Sequence, residues 1–308
     1  MYRPKSSGIA TAAVLMVSVT LGLAPFDAQG IVRRDDVADA DYVDFGKRFP
    51  AVGALFAGTS RAGSGALIYE NGAGDSRWVL TAAHITTPTR FVIAGEEYDV
   101  EEFIKHPGYE GGTGGPPGSG IADDIALARL SLPVADVTPL PWHDNDDSIS
   151  VGTDVISVGL GLSGTGLTGE VGDTAGTRRA AENTIRAIGS PSPMTPVATA
   201  FEYRFRSPGT EGVLPLEGMA VLFDSGGPVV ADFGAGWTII GVHSYVRNNS
   251  GTRGTYGDDL GATRVPLYNA WIMETVPEPS TLALFGGAAM ALAAARRRLT
   301  RASGRARS

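Results

Sequence analysis

Forty-two glycines and nineteen prolines are spread through the 308 residues, and they chop the chain into short pieces. Glycine weakens a helix interior and proline breaks it, so long helices are excluded over most of the length. What survives between the breakers are brief runs of β-branched and apolar residues. They fall at Ala51–Phe56, Ala66–Tyr69, Trp78–Leu80, Arg90–Ile93, Ala126–Leu130, Asp154–Val158, Val229–Ala231 and Trp237–Val242. Short apolar runs bounded by turn residues read as strands. One stretch differs: Val265, Leu267, Trp271 and Ile272 recur at roughly helical spacing and predict a short helix over Val265–Met273. Gly111–Gly120 and Gly159–Gly176 read as loops, the second long and flexible. Many short strands with one late helix predict an all-β barrel or sandwich. With 43% hydrophobic residues, the chain has material for one large core or two small ones.

Both ends have the composition of addresses. Arg3 and Lys5, the apolar run Ile9–Ala24 and the small residues after it predict a signal peptide over 1–30, cut after Ala24, Ala28 or Gly30 by signal peptidase. At the other end, Val276-Pro277-Glu278-Pro279-Ser280 precedes an apolar run, Thr281–Ala295, and then Arg296-Arg297-Arg298. The run is shorter than a usual membrane span, and arginines beyond it favour the cytoplasmic side, which leaves the main domain outside. This three-part tail resembles the PEP-CTERM sorting signal of Gram-negative bacteria. The resemblance implies export across the inner membrane, transient membrane association through the tail, processing by exosortase, and a secreted or cell-surface protein. The expected division is therefore 1–30 signal peptide, 31–275 folded domain and 276–308 sorting tail. Between 31 and 275 there are 17 basic and 31 acidic residues, a net charge of −14. That balance argues against nucleic acid as a partner, since phosphate contacts need clustered Lys and Arg. The absence of cysteine excludes disulfides, thiolate catalysis and Cys-based metal sites.

Three segments carry reactive side chains. Trp78-Val79-Leu80-Thr81-Ala82-Ala83-His84 ends a strand-like run on a histidine, the side chain suited to general base work near neutral pH. Asp123-Asp124-Ile125-Ala126-Leu127 sets a carboxylate directly before a strand, where it could orient an imidazole. Phe223-Asp224-Ser225-Gly226-Gly227-Pro228 puts a serine in a tight turn whose glycines allow close approach of a substrate. Taken singly, each has an ordinary structural explanation as a satisfied histidine, a solvated cap or a turn.

In this order, the three segments resemble the trypsin/chymotrypsin family of serine proteases. The likeness extends to Phe49-Pro50-Ala51-Val52, Gly63-Ser64-Gly65-Ala66-Leu67-Ile68, Gly241-Val242-His243-Ser244-Tyr245, Thr263-Arg264-Val265 and Trp271-Ile272. It implies two antiparallel β-barrels of six strands, with a short C-terminal helix and the active site between the barrels. It also implies a serine endopeptidase acting on protein or peptide through an acyl-enzyme, with no cofactor and no metal. By the same resemblance Ser225 is the nucleophile, His84 its base and Asp124 the acid that orients it, Asp123 being the alternative. The N–H groups of Ser225 and Phe223 would form the oxyanion hole, and Ile31 and Asp224 an N-terminal activation pair. Phe223 stands where the family has glycine, and Arg33 and Arg34 follow Ile31-Val32 where it has two glycines. Met219 falls at the pocket floor, and Ser244, Tyr245 and Val246 on its wall. A non-acidic floor argues against a Lys or Arg preference and, with Val246, for small to medium apolar residues. His106 and His143 are expected at the surface, and His243 in the core or the cleft wall. A catalytically silent trypsin-fold binding protein at the cell surface, or an esterase using the same triad, are the alternatives.

Overall fold

The computed structural model describes residues 30–69, 76–111, 122–189 and 198–276. The signal peptide, most of the Gly111–Gly120 loop and the tail from Pro277 onward lie outside the described residues.

A two-residue strand β1 (Val32–Arg33) and a helix α1 (Asp39–Gly46) precede the first barrel. Its strands are β2 (Val52–Ala57), β3 (Ser60–Ile68), β4 (Ser76–Thr81), β5 (Arg90–Ile93), β6 (Glu96–Lys105) and β7 (Ala126–Val134). They close in the order β2-β3-β4-β7-β6-β5, every neighbour antiparallel. The second half supplies β8 (Asp154–Gly159), β9 (Ser163–Thr165), β10 (Gly169–Val171), β11 (Arg179–Ile188), β12 (Ala200–Arg204), β13 (Gly218–Met219), β14 (Pro228–Asp232), β15 (Trp237–Arg247) and β16 (Asp259–Arg264). Of these, β11-β12-β16-β15-β14-β8 close the second barrel. The strands left over, β10, β9 and β13, join β1 in a small mixed sheet. The chain then makes a 3-10 turn at Val265–Tyr268 and ends in helix α2 (Asn269–Thr275).

Each barrel owes its closure to residues that alternate between inside and out. Leu55, Leu67, Val79, Phe91 and Leu127 are wholly buried in the first, and Val155, Phe201, Val229 and Ile240 in the second. Closure leaves no sheet edge open in either barrel, which suits a chain with no disulfide to hold it.

The all-β expectation, the double barrel and the late helix are therefore present. Three local readings need correction. The stretch read as a flexible loop, Gly159–Gly176, contains the hairpin β9–β10, whose strands are only three residues each and carry little apolar signal. β6 went unread because five of its ten residues are acidic; it is closed into the barrel by its neighbours. The terminal segment begins as 3-10 and turns α-helical only at Asn269.

Candidate active site

The register of the first barrel explains the meeting of His84 and Asp124. Thr81, the last residue of β4, pairs with Ala126, near the start of β7. His84 follows the one and Asp124 precedes the other, so both leave the same end of the barrel. The His84 amide donates to Asp124 Oδ1 at 2.8 Å, and its Nδ1 lies 2.7 Å from Oδ2. The second barrel adds a third donor: the Ser244 hydroxyl reaches Asp124 Oδ2 at 2.5 Å. A fully buried carboxylate with three donors is a strong acceptor, which favours the imidazole tautomer with its proton on Nδ1 and leaves Nε2 as an acceptor. Asp123, the alternative acid, turns away. It adopts φ +53 and accepts from the Tyr268 hydroxyl at 2.6 Å.

Ser225 comes from the second barrel, in a turn pressed against the first. Its carbonyl accepts from Ser64 N at 2.8 Å, and Ser64 Oγ donates to the Phe223 carbonyl at 2.9 Å. Gly226 has φ +84, and a Cβ there would sit 2.0 Å from Thr81 Oγ1, so only glycine fits this contact. His84 and Ser225 line one cavity of ≈ 250 Å³. No hydrogen bond joins the Ser225 hydroxyl to the imidazole among the described residues. Such bonds are often loose without substrate and tighten when it binds.

Around Ser225 the backbone donors divide into two sets. Leu222 N donates to Glu170, Asp224 N to Val221 O, Gly226 N to His243 O and Gly227 N to Asp224 O. Among the described residues, the N–H groups of Phe223 and Ser225 have no protein partner. Phe223 has φ +69, in the left-handed region where its side chain is strained and a glycine would be at ease.

The remaining expected residues sort as follows. Ser244, Tyr245 and Val246 line the cavity. Met219 does not: it is wholly buried, paired in β13 with Val32 of β1, and Ala220 and Val221 form the wall in its place. His243 lines the cavity from a buried position, with Nε2 3.2 Å from Ser157 Oγ, and burial pushes its pKa down to about 4. His106 and His143, expected at the surface, are half-buried. His106 is edge-on to Tyr268 and Trp271, and His143 stacks on Phe233. The Ile31 nitrogen lies 3.2 Å from Asp224 Oδ2. Asp224 is buried and also accepts from Val221 N and Gly161 N; burial outweighs these donors and the Arg61 charge and pushes it up to about 7. Sequence reasoning missed Ser64, whose Gly-Ser-Gly setting was the one available signal, and Arg253, a cavity-lining residue in a loop with no motif.

Comparisons with known proteins agree with this fold. The trypsin family model matches residues 47–191, which include His84 and Asp124 and stop short of Ser225. A PEP-CTERM protein-sorting motif matches 275–298. Human kallikrein-12 is 36% identical over 118 residues, 35% of this chain, and the chain spans 44% of that relative's length. The solved structure of neuropsin, a serine protease expressed in the limbic system of mouse brain, superposes with a TM-score of 0.55 at 23% identity. It covers 74% of this chain and 95% of its own. The chain thus has a trypsin-like fold and matches the trypsin family over residues 47–191, and it carries a sorting motif that points to an exported bacterial protein.

Proposed function

We propose that the protein is a secreted serine endopeptidase with His84, Asp124 and Ser225 as its triad. The observation that carries this reading is the His84–Asp124 pair at 2.7 Å, facing Ser225 across a shared cavity. In the reaction, Ser225 Oγ attacks the scissile carbonyl while His84 Nε2 takes the hydroxyl proton. Asp124 steadies the imidazolium that forms. His84 then returns the proton to the leaving amine as the C–N bond breaks, and an acyl-enzyme remains on Ser225. Water repeats the sequence and frees the acid. The two unpartnered N–H groups of Ser225 and Phe223 are suited to receive the oxyanion, and one such donor is typically worth about 10²–10³ in rate.

Ile31 and Asp224 would act as the anchor of the N-terminal segment, with signal peptidase cutting after Gly30 and exosortase processing the tail. The same triad also fits ester hydrolysis. Labelling of the purified protein by a fluorophosphonate probe tests the proposal. Wild type is expected to label at one site and Ser225→Ala not at all. An unlabelled wild type favours the silent binding protein, and equal labelling of both removes Ser225 from the role.

A further inference from the structure

The walls of the cavity beside Ser225 are almost free of charge. Ala220, Val221, Leu222, Val246 and Leu260 are apolar, and His243 is buried with its imidazole held neutral. Among the described residues, the one side chain of permanent charge on this wall is Arg253.

Arg253 is also the arginine least used by its ion pair. Every other salt bridge among the described residues measures 3.2 Å or less; the one from Arg253 Nη1 to Glu170 Oε1 is 3.5 Å. No further hydrogen bond from its guanidinium to protein is present among the described residues. Glu170 is occupied elsewhere, its Oε2 accepting from Leu222 N. The guanidinium thus keeps most of its five donors for another partner.

Its backbone, in contrast, is held firmly. The Arg253 carbonyl accepts from Glu170 N at 3.0 Å. Next to it, Gly254 has φ +84 and packs so closely on Val221 and Val32 that a Cβ would lie 2.9 and 3.0 Å from their methyl groups. The Gly254 amide donates to buried Asp258, which also receives Asn249 N and Ser250 N. The loop therefore presents a fixed backbone with a charged head held only by one long ion pair at the cavity.

We propose that Arg253 is a specificity-determining residue and that the cavity beside Ser225 takes an acidic substrate side chain, Glu or Asp. This rests on the hydrolase reading above. A planar fork of donors suits a carboxylate bidentately, and an entering Lys or Arg would meet a like charge in a confined space. Arg253 thus adds a charge to the apolar preference that Met219 and Val246 alone suggested.

The test uses the full exported protein and fluorogenic peptides that differ at one residue, Glu, Gln or Lys, scanned through the positions flanking the scissile bond. At one position kcat/KM is expected to follow Glu > Gln > Lys, with Glu over Gln by roughly tenfold, as for one partly exposed charge-assisted hydrogen bond. Added salt should shrink that ratio. Arg253→Gln should bring it to about one, and Arg253→Lys should keep a part of it, each with thermal unfolding recorded to show that the variant folds. A wild type with no Glu preference at any position, or a ratio that survives in folded Arg253→Gln, overturns the proposal. Fluorophosphonate labelling separates the two readings, because it needs no side-chain preference. A labelled enzyme without the preference loses the specificity and keeps the hydrolase. If labelling fails, titrating Ser225→Ala with peptides ending in Glu or Gln still decides: tighter binding of Glu supports the site, and equal affinity ends it.

Discussion

Phe223 occupies a backbone region that disfavours its side chain by about 1–2 kcal/mol, yet its neighbours hold it there. Its carbonyl is bound by Ser64 Oγ and the next amide closes a turn to Val221 O. The N–H direction is thus set by the turn, and glycine is not required to reach it. Replacing Phe223 by glycine relieves strain and adds chain entropy to the unfolded state, two opposing terms of about 1 kcal/mol each, and it also removes a half-buried ring that packs on the second core. Phe223→Gly should therefore melt below wild type by the lost packing, yet keep its turnover of an activated ester. Phe223→Pro, with φ fixed near −65° and no N–H, should lose about 10²–10³ in kcat. A dead wild type revived by glycine would show the native hole to be incompetent. Two buried groups beneath the same turn titrate in opposite senses. Asp224, about 7 when folded and 3.8 otherwise, keeps its proton where the unfolded chain has lost it, so its contribution to stability falls as pH rises from about 4 to 7. His243, about 4 against 6.5, stays neutral where the unfolded chain is protonated, so its contribution rises with pH between about 4 and 6.5. Each slope is about 1.4 kcal/mol per pH unit, and they offset one another over the shared range. Asp224→Asn removes one of them. Its stability in urea should climb from pH 4.5 to 6.5 more steeply than wild type by about that slope, and parallel profiles would sink the assignment. A protein shown by N-terminal sequencing to begin at Ile31 carries an ammonium 3.2 Å from Asp224, which pulls the carboxyl down and erases the difference.

At the scale of elements, legibility follows from what each strand contacts. β5 was read to its exact ends, Arg90 to Ile93, because its residues alternate between half-buried and buried. β8 and β14 were read to within a residue at each end, since their interiors are continuously buried and apolar but for Ser157. β11 and β12 escaped because polar residues sit at their inward positions. Wholly buried Arg179, Asn183 and Glu202 each depend on distant partners: Arg179 on Asp39, Asn183 on the Gly218 carbonyl, and Glu202 on Arg186 and Arg247. A buried charge paired across the fold leaves no local pattern to read. The same cause hid α1. Its first-turn residue Asp39 serves as the partner of Arg33 and Arg179, so the segment is stabilised by tertiary ion pairs more than by an apolar face. Those pairs also explain the two arginines after Ile31-Val32. Arg33 binds Asp39 and the carbonyls of Arg34 and Val37, while Arg34 binds Asp36 and the Leu214 carbonyl. Together they pin the chain that delivers Ile31 to Asp224.

On the scale of the whole molecule, the site exists only where the two barrels meet, which is why motif order could announce it and no single segment could. His84 and Asp124 come from the first barrel, Ser225 and Ser244 from the second; an apolar cluster shared by both barrels joins them, and beside the site a few hydrogen bonds bridge the seam. Ser244 Oγ and Thr263 Oγ1 reach Asp124 from one side. Ser64 reaches the Ser225 turn from the other, its Oγ donating to the Phe223 carbonyl and accepting from Leu160 N at 3.2 Å. Ser64 is wholly buried, so its loss strands a donor and an acceptor away from water. Ser64→Ala should therefore lower stability by about 2 kcal/mol, measured by urea unfolding. If the seam also positions Ser225, the variant should label more slowly with a fluorophosphonate, and its kcat on an activated ester should fall with KM little changed, because the turn that carries the nucleophile has lost its brace. The backbone bond from Ser64 N to the Ser225 carbonyl survives the change and limits the effect to positioning. A variant that loses the stability but reacts at the wild-type rate would leave Ser64 as a purely structural contact and would place the alignment of Ser225 wholly within the second barrel.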